Sequence, residues 1–278
     1  DSEIPTPDSI LGYSAGDRQT NFRNQDLVVE AIAAKAPDRA RVIRYGTTNE
    51  GRPLRVVAIS SPENIAHLEE IRQRQQEIND GKAPADDKQP AIVWINECIH
   101  GNEPASFESA MWLLYNLTAS QSIQNTLKHA VVILNPSYNP DGHERFAVWY
   151  DSLPFGSATR DSMERREPGI IYGRLNHYRF DMNRDRVSMS QIETQQEVAE
   201  FLRWHPLVYV DQHGQVGTYF MPPNPMSVNG DVDRNRPRRG RSGRAQSGLR
   251  AGHRCADDSN QAASAARRPR AAHGGRDL

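Results

Sequence analysis

The chain has 278 residues, of which 37% are hydrophobic and 25% are charged, and its formal net charge is −1. This composition is typical of a globular fold with one large or two small domains, although the hydrophobic fraction is low. Two cysteines exclude a disulfide framework, and the lack of 18 consecutive uncharged apolar residues excludes a transmembrane helix. The sequence begins at Asp1 without a recognisable leader, so we expect either a removed leader, as in secreted or periplasmic proteins, or a fragment.

Charge is distributed unevenly along the chain. From Arg234 to Leu278 the sequence has twelve arginines, three aspartates and no lysine, a formal charge of +9, whereas the remaining residues carry −10. The same segment has no aromatic residue, isoleucine, valine or methionine, so it cannot bury enough apolar surface to offset its ordering entropy. We therefore expect residues 229–278 to be a basic, disordered tail. Its arginine, alanine and glycine content also predicts a chain that is truncated or frame-shifted after about residue 233.

Periodicity in the first 233 residues predicts alternating strands and helices. Residues 1–23 are expected to form an extended lead-in. The pattern then predicts helices at about 27–34, 62–78, 104–118 and 194–204, a hairpin-like strand pair at 41–45 and 54–60, and buried strands at 91–95, 130–134 and 207–210. This alternation predicts an α/β fold with a central mixed, largely parallel sheet and helices on both faces.

Polar residues follow two of the predicted buried strands. His100 and Glu103 lie three residues apart just after the strand at 91–95, a spacing that lets both side chains reach one ion. His213 follows the strand at 207–210. Open α/β sheets bind ligands at the carboxyl ends of their strands, and two histidines with one glutamate are a common ligand set of catalytic zinc. Taken singly, each motif also has a plain structural interpretation, so the zinc site is a hypothesis at this point.

Two further motifs make the pattern specific. The first is Asn139-Pro140-Asp141-Gly142, which by itself is a common turn, and the second is Asn183-Arg184, which by itself is a solvated charged loop. With these motifs in this order, the sequence resembles the zinc carboxypeptidase family (peptidase family M14). The resemblance covers about residues 20–228 and implies a zinc carboxypeptidase-like catalytic domain at 24–228.

The resemblance implies roles for individual residues. His100, Glu103 and His213 are the implied ligands of one Zn²⁺ per chain. Asn183 and Arg184 match the pair that binds the C-terminal carboxylate of a peptide or protein substrate, a group that a guanidinium binds through two hydrogen bonds. The implied reaction is removal of C-terminal residues from peptides.

Three further positions bear on the implied reaction. Asp181 is expected to accept a hydrogen bond from the other ring nitrogen of the histidine at position 100, which would fix its orientation. Arg145 is a candidate for the arginine that polarises the scissile carbonyl, and a surface arginine is an equally good interpretation. Asn102 departs from the family, because many members have arginine there, and this weakens the case for a standard substrate-carboxylate subsite.

One catalytic element of the family has no counterpart in this sequence. The resemblance implies a general-base glutamate and a tyrosine well after the last zinc ligand, but no glutamate follows His213 and the only later tyrosine is the nearby Tyr219. Loss of a general base typically costs about 10²–10⁴ in rate. We therefore expect an incomplete sheet at the C-terminus, poor stability and impaired peptidase activity in this chain.

Three other functions remain open on the sequence. A zinc-dependent deacylase of N-acyl amino acids on the same fold would also use the Asn183–Arg184 pair. The absent glutamate keeps a non-catalytic zinc- or peptide-binding module open. The +9 tail would bind nucleic acid only in an unspecific, salt-dependent way, and it lacks a recognisable module, so we expect no specific nucleic-acid partner and no membrane partner. The oligomeric state is not indicated.

Overall fold

A computed structural model describes residues 3–85, 87–152 and 167–214. The predicted basic tail at 229–278, and with it the predicted truncation or frame shift, lies outside the described residues. Over the described part of the chain, the helices are α1 (Pro7–Leu11), α2 (Phe22–Lys35), α3 (Pro62–Ala66), α4 (Leu68–Asn79), α5 (Pro104–Ala119), α6 (Gln121–Leu127), α7 (Pro140–Asp151) and α8 (Ile192–Trp204). The strands are β1 (Ala40–Thr47), β2 (Pro53–Ile59), β3 (Ala91–Glu97), β4 (Ala130–Asn135) and β5 (Val208–Gln212).

The strands form one mixed sheet in the order β1-β2-β4-β3-β5. β1 and β2 form the predicted antiparallel hairpin, and β2 also runs antiparallel to β4. β3 lies between β4 and β5 and is parallel to both, as expected for strands joined through helices. The predicted mixed α/β sheet is therefore confirmed, with the parallel pairings concentrated at the half of the sheet that carries the candidate site.

Apolar side chains cover both faces of this sheet. On one face, α2 and α5 pack through Ile32 and Leu114 onto β2 and β4. On the other face, α4 and α8 pack through Leu68 and Trp204 around the fully buried Trp94 of β3. Because successive side chains of a strand point to opposite faces, the apolar run of β4 serves both cores. Helices on both faces are thus confirmed.

The expected extended lead-in contains a short helix instead. Thr6 caps α1 by accepting a hydrogen bond from the backbone N–H of Ser9, and Pro7 occupies the first turn, where its missing N–H costs nothing. Gly12 ends the helix with φ 74°, a left-handed conformation that glycine adopts easily. α1 packs against α2, so the lead-in belongs to the folded domain.

Helix α7 was not among the predicted elements. Its first turn contains the Asn-Pro-Asp-Gly motif: Asn139 is the N-cap residue, accepts a hydrogen bond from the backbone N–H of Gly142, and is followed by Pro140. The residue types that favour turns are also those that begin helices, so composition alone did not distinguish the two.

The expectation that the strand at 207–210 is buried is wrong for the described residues. β5 pairs with β3 on one side, and Leu207, Val208 and Tyr209 are 65%, 47% and 39% exposed. A continuous apolar run predicts burial only where helices and neighbouring strands cover the strand, and within the described ranges β5 is an edge strand. No helix in the described part of the chain is long and apolar enough to cross a bilayer.

Candidate metal centre

The parallel pairing of β3 and β5 brings two distant parts of the chain to one edge of the sheet. Glu97, the last residue of β3, lies opposite Gln212, the last residue of β5. His100 therefore follows one strand end and His213 follows the other. Their imidazole rings lie side by side, with centroids 4.9 Å apart.

Glu103 joins the two histidines. Its side chain is almost fully buried; Oε1 lies 2.8 Å from Nδ1 of His100, and Oε2 lies 2.9 Å from Nδ1 of His213. The backbone N–H of Gly214 also donates to Oε2, at 3.0 Å. One potential ligand atom from each of the three residues lies within 4.8 Å of the others. The structure thus brings together all three residues that the resemblance implied as ligands.

A carboxylate faces the outer nitrogen of each histidine. Nε2 of His100 lies 3.1 Å from Oδ1 of Asp181, and Nε2 of His213 lies 3.3 Å from Oδ2 of Asp211. With a metal ion bound, a proton on each Nε2 would satisfy these carboxylates and leave both Nδ1 lone pairs available to the ion. Two imidazole nitrogens and a carboxylate are donors that suit zinc, so this set of residues fits the metal that the resemblance implied.

The charges of the metal-free site are strongly coupled. Burial alone raises the pKa of Glu103, but hydrogen bonds from His100 and His213 outweigh burial and lower this pKa to about 2. Hydrogen bonds to Asp211 and Glu103 raise the pKa of His213 to about 10. In the metal-free chain His213 is therefore protonated at neutral pH, and a metal ion that takes its Nδ1 must displace a proton.

We expect Asp181→Asn and Asp211→Asn each to lower zinc affinity by about 10- to 100-fold. The amide keeps the size of the side chain but removes the negative charge that orients the histidine and increases its basicity. Competition against a chromogenic chelator measures the affinity. The exposed Asp38→Asn is the matched control, and equal affinities in all three variants would contradict the assigned role.

The Asn183–Arg184 pair lies in a short 3-10 turn, Met182–Arg184, directly after Asp181. Oδ1 of Asp181, which faces His100, also accepts a hydrogen bond from the backbone N–H of Asn183, at 3.0 Å. Arg184 is exposed, and its Nη1 donates to the backbone carbonyl of Asn183 at 3.0 Å. A single carboxylate thus links the histidine to the turn that carries the pair.

Arg145 does not lie with the other predicted site residues. Its guanidinium donates to backbone carbonyls between Ile171 and Asn176 and to Glu50. The arginine beside the site is Arg174, whose Nη1 lies 3.5 Å from Oε1 of Glu103 and whose Nε donates to Asp181 at 3.0 Å. Arg174 carries no motif of its own, and its place seven residues before Asp181 is the only sequence signal that could have indicated it.

Two residues next to the predicted ligands have structural contacts. The Cys98 side chain is buried, and its Sγ lies 3.6 Å from the carbonyl oxygen of His100. Nδ2 of Asn102 donates to Glu167 at 2.8 Å. The position at which many family members have arginine is therefore occupied by an amide paired with a carboxylate.

Comparison with known proteins identifies relatives of one kind. The sequence model of the family described as zinc carboxypeptidase matches residues 27–224. "Probable carboxypeptidase 2" of Arthroderma benhamiae is 30% identical over 122 residues, which are 44% of this chain and 18% of that protein. "Carboxypeptidase B" of Helicoverpa zea is 24% identical over 156 residues, which are 56% of this chain and 31% of that protein.

A solved metallo-carboxypeptidase from Burkholderia cenocepacia is 17% identical, with a TM-score of 0.49 over 72% of this chain and 43% of that one. The matched region spans less than a third of the length of the two sequence relatives. The family match, by contrast, covers well over half of this chain and includes every residue of the candidate metal centre. The chain belongs to the zinc carboxypeptidase family.

Proposed function

We propose that the protein is a zinc-dependent metallocarboxypeptidase that removes C-terminal residues from peptides. The observation that carries the proposal is the direct connection between His100 and the turn of Asn183 and Arg184 through Asp181. This connection supports a site in which the metal ligand and the group that binds a free carboxylate lie at one edge of the sheet. A hydrolase that requires a free chain end needs these two functions side by side.

In this proposal His100, Glu103 and His213 hold one zinc ion per chain. When bound, zinc supplies a Lewis acid and lowers the pKa of water toward neutrality. Asp181 and Asp211 keep the proton of each imidazole on Nε2, so that Nδ1 remains free for the metal. Asn183 and Arg184 bind the terminal carboxylate of the substrate and orient the last peptide bond.

We assign the polarising role that the resemblance implied to Arg174 rather than to Arg145. The guanidinium of Arg174 lies beside Glu103 and Asp181 and is 39% exposed, so it can also donate to a substrate oxygen. Arg145 is already engaged with backbone carbonyls and Glu50. A fixed cation next to the ligands stabilises negative charge that develops on the carbonyl oxygen in the transition state.

Zinc-loaded chain should hydrolyse a peptide with a free C-terminus at least about 100-fold faster than the same peptide with a C-terminal amide. The neutral amide lacks the charge of a carboxylate and cannot accept the paired hydrogen bonds of a guanidinium. Mass spectrometry of the products measures the rate. A chelator should abolish the reaction, and added zinc should restore it.

The same assay separates the competing functions. Hydrolysis of N-acetylphenylalanine without trimming of the peptide would favour the deacylase. Zinc binding without hydrolysis of any of these substrates would favour the non-catalytic module. The expected impairment from the absent late glutamate concerns a part of the chain outside the described residues, and it stays a prediction that the measured rate tests.

A further inference from the structure

We propose that Arg145 is a positioning residue that holds Arg174 beside the metal centre. The proposal rests on the proposed function only for its kinetic consequence. Arg145 lies on α7, and its hydrogen bonds to described residues do not involve any of the three proposed metal ligands. Its effect on the centre would pass through the segment 171–176, which carries Arg174.

Arg174 occupies the middle of a tight turn. The backbone N–H of Leu175 donates to the carbonyl of Tyr172 at 3.0 Å, so Gly173 and Arg174 are the two central residues. Tyr172 has φ 54°, a left-handed conformation that is costly for a residue with a side chain. A turn of this kind needs support from its surroundings to stay in one conformation.

Arg145 supplies that support. Its Nη2 lies 3.2 Å from the carbonyl oxygen of Tyr172 and 2.7 Å from that of Leu175, which are the two ends of the turn. The same nitrogen lies 2.9 Å from the carbonyl oxygen of Asn176, and Nε donates to that of Ile171 at 3.2 Å. A guanidinium presents several N–H donors in a rigid plane, so one side chain can fix several carbonyls at once.

The turn also packs closely against α7. A Cβ at Gly142 of α7 would lie 2.4 Å from the carbonyl oxygen of Gly173, and a Cβ at Gly173 would lie 2.7 Å from Cβ of Phe146. Nη1 of Arg145 is itself held by Glu50, at 3.1 Å. The turn is therefore seated on α7, and its outward side chain, Arg174, reaches Glu103 and Asp181.

Hydrogen exchange tests the structural part of this proposal without any need for hydrolysis. In Arg145→Met we expect faster amide exchange across 171–176, with zinc content unchanged, because both histidines keep their contacts with Glu103 and with the outer carboxylates. Arg179→Met is the matched control, since Arg179 also donates to the carbonyl of Ile171 and lies over the ring of Tyr172, but its described hydrogen bonds do not reach the carbonyls at the two ends of the turn. If amide exchange across 171–176 is no faster in Arg145→Met than in Arg179→Met, the proposal is overturned.

A double-mutant cycle tests the kinetic part. With the free-C-terminus peptide, we expect Arg145→Met to lower kcat by about 10- to 100-fold, with little change in KM, because a displaced catalytic group mainly affects the transition state. Arg174→Met should lower kcat by about 10²- to 10³-fold. The double variant should equal Arg174→Met alone, since Arg145 acts through Arg174.

Losses that multiply in the double variant would overturn the proposal, because Arg145 would then act independently of Arg174. If Arg145→Met does not fold, Arg145→Lys replaces it in both experiments, since lysine keeps the charge but cannot bridge both ends of the turn. A wild-type chain that binds zinc but hydrolyses nothing would contradict the proposed function alone, and the exchange measurement would still decide the role of Arg145.

Discussion

His100→Ala and His213→Ala are each expected to lower zinc affinity by more than about 100-fold. Each variant removes one of three donors, a larger loss than the 10- to 100-fold typical of a changed outer partner. Each also leaves Glu103 without one of the imidazoles that now face its carboxylate oxygens. Elemental analysis after dialysis, together with competition against a chelator, gives zinc content and affinity on the same samples.

The control for these variants is His129→Ala, since His129 is an exposed histidine directly before β4. We expect it to bind zinc as the wild type does, at about one ion per chain. Circular dichroism shows whether each variant folds. Folded variants that retain zinc when either His100 or His213 is absent would contradict the assigned metal centre, whatever their peptidase activity.

Glu97→Gln is expected to stabilise the metal-free chain increasingly as the pH rises from about 5 to 8. Glu97 is fully buried between the ends of β3 and β5; burial, and next the charge of Asp211, raise its pKa to about 8. The folded chain then retains a proton that the unfolded chain has released. The contribution of Glu97 to the stability of the wild type therefore falls with pH across this window, by up to about 1.4 kcal/mol per pH unit, and levels off above pH 8.

Glutamine replaces the protonated acid with a neutral group of the same shape. The amide of Gln212, oriented with its nitrogen toward position 97, donates to Oε2 at 3.1 Å and can do the same to glutamine. We expect the difference in free energy of unfolding between variant and wild type to grow by about 2–4 kcal/mol between pH 5 and pH 8. Urea unfolding at several pH values, with a chelator present, measures this difference.

The surface substitution Glu63→Gln controls for the general effect of a lost carboxylate, since Glu63 is exposed on α3. A difference between Glu97→Gln and wild type that stays constant over the pH range would show that Glu97 is not the proton-binding group. A Glu97→Gln variant that is less stable at every pH would show that the carboxyl group makes a contact that glutamine cannot reproduce.

Local sequence patterns predicted most of the elements that build the sheet. The hairpin of β1 and β2 and the apolar runs of β3 and β4 are short-range signals, and each predicted strand lies within an observed one to within a residue. α7 was missed because its first turn uses residues that equally favour a loop. The exposure of β5 was missed because burial depends on neighbours that a five-residue run does not specify.

The candidate site also combines features that the local sequence indicates with features that depend on the fold. The three-residue spacing of His100 and Glu103 and their position after a strand indicate a metal pair locally. His213 joins this pair because β3 pairs with β5, although the two strands are more than a hundred residues apart in sequence. The resemblance, which rests on the order of the motifs, had implied that His213 is the third ligand. Motif spacing did not identify the arginine of the site. Arg145 closely follows the Asn-Pro-Asp-Gly motif in sequence but donates to backbone carbonyls and Glu50, whereas Arg174 lies beside Glu103.

The sequence by itself determined the family, the order of the strands and of the longer helices α2, α5 and α8 along the chain, and the residue types available at the strand ends. These depend on composition, periodicity and short motifs, which are local properties. Only the tertiary structure decided that Asp211 faces His213, and that Arg174 rather than Arg145 stands beside Glu103. Arg174 and Glu103 lie in segments that are far apart in sequence, and their meeting depends on helix packing and sheet pairing, which leave no signature in either segment alone.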